Sequence, residues 1–470
     1  MRSMAGMNSP GTIRSLGAAA MLAGALTFSG TAQACSITKT RTLFEYSGRT
    51  QTILDVEAAM ARAQASQGVI PSAAATDISE KAQVALVPQE AFDAEYSVVN
   101  HRMVALLSVW RRSLDDSGEQ YVHFGATTVD IYGTATVLQT LGALDEMDAC
   151  LGRAMDAMAT LANAHAQTPM IGRTLGQHAQ PITFGKKVSV WVEEYARHRA
   201  RLAQLKERLR RSAILKGAVG NYSGLGDKAI AVEQAFATEL ELEAPYPADW
   251  NGARDVLAEY GLVAGLLAKS HQRIGQEVFL LQGTDIGEVR EAQRKGVVGS
   301  SSMPHKRNPR APERLIHAGR TIPRLGAVLA DDVVNFFERD NTSRLSPVIE
   351  DIAVQSVSSA RTLAILLEGL EVDTDAMRAN IDRTRGFALS QRVAFALAET
   401  MPRVEAEALV KQVIAEALAG DVSFAKALSA NERTATRLDA ARIADLLDAS
   451  RIDQPALDQV ARTLNEATSP

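Results

Sequence analysis

Four long stretches of this 470-residue chain repeat apolar residues every three or four positions. Residues 185–215 carry Val188, Val192, Tyr195, Leu202, Leu205 and Leu209 along one side. Residues 254–281, 313–337 and 349–370 are apolar on most of their faces. A period near 3.6 held over so many residues predicts long α-helices, and helices apolar on more than one side must bury one another in a bundle. The same property predicts packing against further copies of the chain. Arg208, Arg210 and Arg211 at the end of the first stretch suit the negative end of a helix dipole. Aromatic residues make up only 5% of the chain. With Ala and Leu abundant, that composition favours helices over β-sandwiches.

A chain this long exceeds one ordinary hydrophobic core. Residues 40–120 read as helices with short breaks. In one of them Ile53, Val56, Ala59 and Ala63 mark a buried stripe that Gly68 ends, and a second runs through 91–110. After Gly369 the helices become shorter, with turns near Gly386, Gly420 and Ser429. The reading is an all-α protein of three helical domains: 35–124, a central long-helix bundle at 125–370, and 371–470.

Residues 1–34 stand apart. Arg2 and Arg14 are their only charges, an apolar run covers Leu16–Phe28, and Ala32-Gln33-Ala34 has the small-x-small form of a cleavage site. That is the pattern of a secretory signal peptide, too short to span a bilayer, and it predicts a periplasmic or secreted protein. A start codon placed too early, with a cytoplasmic protein behind it, is the alternative. Cleavage would remove both arginines and no acid, taking the formal charge from −5 to −7. Cys35 would then lead the mature chain, where a lipid anchor is one use for it. Cys150 lies in an Ala/Leu/Met-rich helical context and reads as a packing residue; a disulfide between the two has no support in the sequence. No later segment has 18 uncharged apolar residues, so no membrane span is expected. An acidic chain lacks the basic field that nucleic acid requires, so a small anionic partner must be held by local cations.

Residues 299–309, Gly-Ser-Ser-Ser-Met-Pro-His-Lys-Arg-Asn-Pro, supply such cations. Gly299 frees the backbone, while Pro304 and Pro309 keep the segment out of a helix. The resulting loop offers N–H groups beside Lys306 and Asn308, fit to hold a carboxylate and to stabilise negative charge developing on it. The string resembles the signature of the aspartase/fumarase superfamily, Gly-Ser-Ser-x-Met-Pro-x-Lys-x-Asn-Pro, at every fixed position. The resemblance covers roughly residue 40 to the C-terminus. It implies Ser300 as the base, Ser301 and the loop N–H groups as its stabilisers, Met303 as a substrate contact, and Lys306 and Asn308 as carboxylate ligands.

Two further segments resemble the superfamily's other regions. Tyr121–Asp130 holds His123, Gly125, Thr127, Thr128 and Asp130 in a His-x-Gly-x-Thr-Thr-x-Asp pattern. The two threonines are donors to substrate carboxylates, and Asp130 fixes the loop or orients a donor. In Gly172–Gly185, Arg173, Thr174, Gln177, Ala179 and Pro181 match, but Leu175 stands where most relatives carry a histidine. Leucine cannot donate a proton. His178 becomes the nearby candidate acid, as in the carboxymuconate-cycloisomerase branch, with a purely orienting role as the alternative and His123 as the competing acid. Glu338, Arg339 and Asp340 match an adenylosuccinate lyase-like segment that leads to Arg344, a candidate clamp for a second carboxylate. Trp250–Asp255 keeps Arg254-Asp255 but lacks the histidine often found before it.

The resemblance implies a homotetramer whose pockets draw motifs from different subunits. It also implies anti-elimination from a succinyl-type polycarboxylate, C–N or C–O cleavage commonly releasing fumarate, with no metal or organic cofactor. Leu175 and His178 favour the cycloisomerase alternative, and a non-catalytic family scaffold is the third reading.

Overall fold

The computed structural model describes residues 35–293, 296–333, 336–338 and 345–468. The signal-peptide reading of 1–34 and the clamp role of Arg344 lie outside them. Five long helices form the centre: α1 (Thr128–Ala164), α2 (Phe184–Arg210), α3 (Asp255–Leu281), α4 (Arg310–Asp331) and α5 (Leu345–Glu368). Four of these fall on the four periodic stretches. The longest, α1 with 37 residues, was not anticipated as one element. Its larger apolar residues are mixed with Ala, Gly and Thr, which blurs the stripe.

Helices α3 and α4 pack most closely, because small residues line their seam. A Cβ on Gly261 would lie 2.9 Å from Cα of Gly326, and one on Gly326 only 2.4 Å from the carbonyl oxygen of Gly261. Any side chain there would push the backbones apart. Trp191, Tyr195 and Tyr260 are fully buried within the same core. Each buried side chain of that size contributes roughly 1.5–3 kcal/mol.

A second core joins the N-terminal helices, and helix Ala229–Glu239 adds Val232 and Phe236 to it. The helix Tyr46–Ser66 stops before Gly68, which takes φ of 64° as expected. The single helix predicted for 91–110 is instead two, Gln89–Val99 and Arg102–Arg111. Asn100 breaks it in the left-handed region at φ 50°, which asparagine tolerates, and Nδ1 of His101 then accepts the Val104 N–H at 3.3 Å as the next N-cap. A third core lies among the C-terminal helices around Val393, Val413 and Phe424. The last helix, Gln454–Thr468, leaves them and packs Val460 and Leu464 into the central cluster along α2.

Among the described residues the protein is all-α apart from two small antiparallel pairs, which the sequence did not reveal. The larger is the hairpin β1 (Pro169–Thr174) with β2 (Gln177–Thr183), and Thr174 faces Gln177 across the turn. Its two connecting residues, Leu175 and Gly176, have φ of 51° and 76°. A two-residue turn with both φ positive matches the twist of the strands, though leucine is an unusual occupant. Among the described residues no helix is long and apolar enough to cross a membrane.

Cys35 and Cys150 form a disulfide, with Cα atoms 4.9 Å apart. This corrects the reading of Cys150 as a residue that only packs. A separation of 115 positions hid the pairing, since helix packing alone brings Cys35 to the middle of α1. Nearby, the Ser36 N–H and Lys39 Nζ both reach Glu146, at 2.9 and 2.7 Å. A sulfur bonded to another sulfur is not free to carry a thioether lipid.

Candidate active site

The sequence-predicted residues divide between the two ends of the bundle. Thr127 and Thr128 start α1, and the β1–β2 hairpin follows its far end. At about 1.5 Å per residue the helix holds them roughly 55 Å apart. Helix α3 runs antiparallel to the same axis. Its start adjoins Asn251, whose side chain lies 3.0 Å from where a Cβ on Gly133 would stand. Beyond its other end, Glu288 pairs with Arg173 of the hairpin. Pro312 and Leu315, just after the signature loop, pack on Gly275 near that same end. The loop and the hairpin thus share one end, and the threonines hold the other.

At the threonine end Asp130 is fully buried. Its carboxylate accepts the N–H groups of Thr127, Lys216 and Gly217 at 3.1, 3.1 and 3.0 Å. It therefore ties the first turn of α1 to the glycine-containing segment after α2. That segment is anchored by Lys216, whose Nζ meets both oxygens of Glu233 at 2.9 and 2.8 Å, while the Tyr222 hydroxyl donates to Glu233 at 2.8 Å. Nδ1 of His123 lies 2.6 Å from Glu57. Burial works against the imidazolium, but the hydrogen bond and charge of Glu57, with a smaller contribution from Asp130, outweigh it and raise the pKa. Thr128 lines a cavity of about 490 Å³ with Asn100, His101, Arg102, Asn251 and Arg254. Arg254 is committed to Asp332 at 2.9 and 3.0 Å, which gives the retained Arg-Asp segment a structural partner.

At the other end Arg173 donates two hydrogen bonds to the buried Glu288, at 2.9 and 2.7 Å, and Asn380 adds a third at 2.8 Å. This fixes the base of the hairpin and presents Thr174, Gln177 and His178 exposed beyond it. Partial burial and the adjacent Arg173 charge lower the pKa of His178. In the signature loop the Ser300 hydroxyl accepts the Met303 N–H at 3.2 Å, and the Lys306 N–H donates to the Met303 carbonyl at 3.0 Å. A Cβ on Gly299 would stand 2.5 Å from the Lys306 carbonyl oxygen, so only glycine lets the loop close at its neck. Ser301, Met303, Lys306 and Asn308 are exposed. A bent loop with a serine hydroxyl, a lysine and an asparagine can clamp a carboxylate and take a proton from the adjoining carbon.

Residues 31–323 match a family model described as lyase, and residues 386–463 match one described as adenylosuccinate lyase C-terminus. The chain belongs to the aspartase/fumarase superfamily. This lyase is similar to N-acetyl-S-(2-succino)cysteine lyase of Enterococcus italicus, with 32% identity over 91% of this chain and 94% of the relative. It is also similar to 3-carboxy-cis,cis-muconate cycloisomerase of Pseudomonas putida, with 36% identity over 81% and 90% of the two chains. Among solved structures, fumarate lyase from Mesorhizobium sp. BNC1 superposes with a TM-score of 0.85 at 29% identity, covering 92% of this lyase and 99% of that chain.

Glu57, Glu288, Lys216 and Glu233 were not singled out from the sequence. Glu57 and Glu288 find their partners 66 and 115 residues away, so no local spacing marks them. Lys216 had a usable signal: it opens Lys-Gly-Ala-Val-Gly directly after a long helix, a glycine pattern that marks a shaped loop.

Proposed function

We propose that this lyase catalyses cofactor-independent anti-elimination on a succinyl-type polycarboxylate, cleaving a bond from carbon to a heteroatom and releasing fumarate. Ser300 takes the proton from the carbon next to a carboxylate. Lys306 and Asn308 hold that carboxylate as it becomes dianionic, binding the intermediate more strongly than the substrate. Ser301 and Met303 close over it, Thr127, Thr128, Thr174 and Gln177 bind the remaining oxygens, and Arg344 clamps a second acid. His178 serves the leaving group, with His123 as the competing acid.

The observation that carries this reading is the division of the motifs between opposite bundle ends. Segments about 55 Å apart in one chain meet only when neighbouring copies bring unlike ends together, as a homotetramer with shared sites would do. The disulfide, together with the leader pattern, supports an exported enzyme in an oxidising compartment.

The test is fumarate absorbance on incubation with a panel of succinyl compounds joined through nitrogen, oxygen or sulfur, including N-acetyl-S-(2-succino)cysteine. Silence across the panel rejects the elimination. The second reading is cycloisomerisation of 3-carboxymuconate, favoured by Leu175 followed three places on by His178 and by the Pseudomonas relative; decay of muconate absorbance would select it.

A further inference from the structure

Arg102 is the first residue of helix Arg102–Arg111, just after the left-handed Asn100 and the capping His101. It lines two neighbouring cavities, the one of about 490 Å³ that holds Thr128 and one of about 410 Å³ beside it. Tyr132 and Ser346 belong to both walls as well. The guanidinium lies 5.6 Å from the ring centre of Phe92 and 5.7 Å from that of Tyr96. Those two rings are stacked almost parallel, 6.1 Å apart. A cation seated on two stacked rings is held in one place without being neutralised.

The other charges around these cavities are differently placed. Arg49 pairs with Glu350 at 3.1 Å and Arg254 with Asp332. Asp93 lines the smaller cavity but makes no ion pair with Arg102. Among the described residues Arg102 has no carboxylate partner. Its exposed planar fork lines the same cavity as Thr128 and carries donors fit for a bidentate anion. His101 adds to this: since Nδ1 accepts the Val104 N–H, its neutral ring carries the proton on Nε2 as a further donor.

We propose that Arg102 is a specificity-determining residue that reads an acidic group on the substrate beyond the succinyl unit. The substrate class is then a tricarboxylate or higher acid whose departing part is itself anionic. This rests on the reading that Thr128 faces substrate. A neutral departing group makes no use of the exposed guanidinium, so it binds less well.

The test is calorimetric binding of propane-1,2,3-tricarboxylate and of succinate to the full-length protein, beside Arg102→Met and Arg102→Lys. The wild type should bind the tricarboxylate at least about tenfold more tightly than succinate. Arg102→Met should abolish that preference with succinate binding unchanged, and Arg102→Lys should keep part of it. Equal affinities in the wild type, or an undiminished preference in Arg102→Met, overturn the assignment. Binding is read without turnover, so discrimination with no fumarate release from any succinyl compound would reject the elimination alone and leave Arg102 as an anion reader.

Discussion

Nδ1 of His123 lies 2.6 Å from Oε1 of Glu57, a carboxylate with no exposure to solvent. The second oxygen of Glu57 accepts no hydrogen bond from the described residues. The imidazolium is therefore the main compensation for a buried negative charge, which is why its pKa rises despite burial.

Because the folded pKa of His123 stands above the ordinary 6.5, its contribution to stability is complete below pH 6.5 and is lost as pH climbs through the raised value. The urea midpoint of the wild type should decline across that window, and His123→Gln should flatten the decline. His123→Ala, which strands Glu57, should cost about 3–5 kcal/mol. A wild-type midpoint with no slope above pH 6.5 would count against the pairing.

Arg173 plays the matching part at the hairpin end. Its two bonds to Glu288, with Asn380 as the third donor, hold the hairpin base against the segment after α3. Arg173→Met leaves a fully buried carboxylate with one donor and should lower stability by about 3–5 kcal/mol. The double change Arg173→Met with Glu288→Leu should recover much of that loss in urea unfolding. No recovery would mean that the cost comes from the arginine's packing instead.

The helices were legible because apolar periodicity and stop residues are local signals. Gly68 ended its helix as read, and four of the five core helices fell on their stretches. Where a single residue changed the backbone, reading failed. Asn100 in the left-handed region split one expected helix, and Leu175 in the same region made a hairpin without the Asn-Gly pair that announces such turns. The signature loop was legible as a loop from its glycine and prolines, and as a candidate site from its resemblance to the superfamily. Glu57, Glu288 and the disulfide were not, since their partners meet only through packing of distant helices. Nor did any sequence pattern show that the threonine end and the loop end would stand at opposite ends of one helix.

Ser300 is half-buried in a largely exposed loop, where its hydroxyl accepts one backbone bond. Ser300→Ala should therefore change stability by no more than about 0.5 kcal/mol. If it removes the proton, turnover should fall by about 100- to 10,000-fold with the oligomer unchanged. If Lys306 holds the carboxylate in both substrate and intermediate, as proposed, Lys306→Met should raise KM and lower kcat together. Steady-state fumarate assays alongside circular dichroism check both, and near-normal turnover in Ser300→Ala removes it as the base.

The Cys35–Cys150 bond closes 115 residues of chain and ties the described N-terminus to α1. Loop-closure entropy makes such a link worth about 2–5 kcal/mol. Reductant, or Cys150→Ala, should lower the urea midpoint accordingly, while the Ser36 and Lys39 contacts to Glu146 keep the segment in place under native conditions. An equal midpoint with and without reductant would show that the thiols are free in solution.

Leu175 combines two costs that a turn residue ordinarily avoids. It takes a left-handed backbone conformation, which costs an L-residue roughly 1–2 kcal/mol, and it leaves its whole side chain in water. Asparagine tolerates that conformation and, followed by Gly176, would complete the favoured turn pair. Leu175→Asn should thus raise the stability of the protein by about 1 kcal/mol. On the proposed reading that neighbouring copies complete a site around Thr174 and Gln177, however, the leucine between them covers substrate or the neighbouring copy. Burying that side chain is worth about 1.5–3 kcal/mol, so the same change should cut kcat/KM by about tenfold or more. Opposite movements of stability and turnover would identify Leu175 as strain kept for the site. A gain in stability with unchanged turnover would make it a poorly chosen turn residue and nothing else.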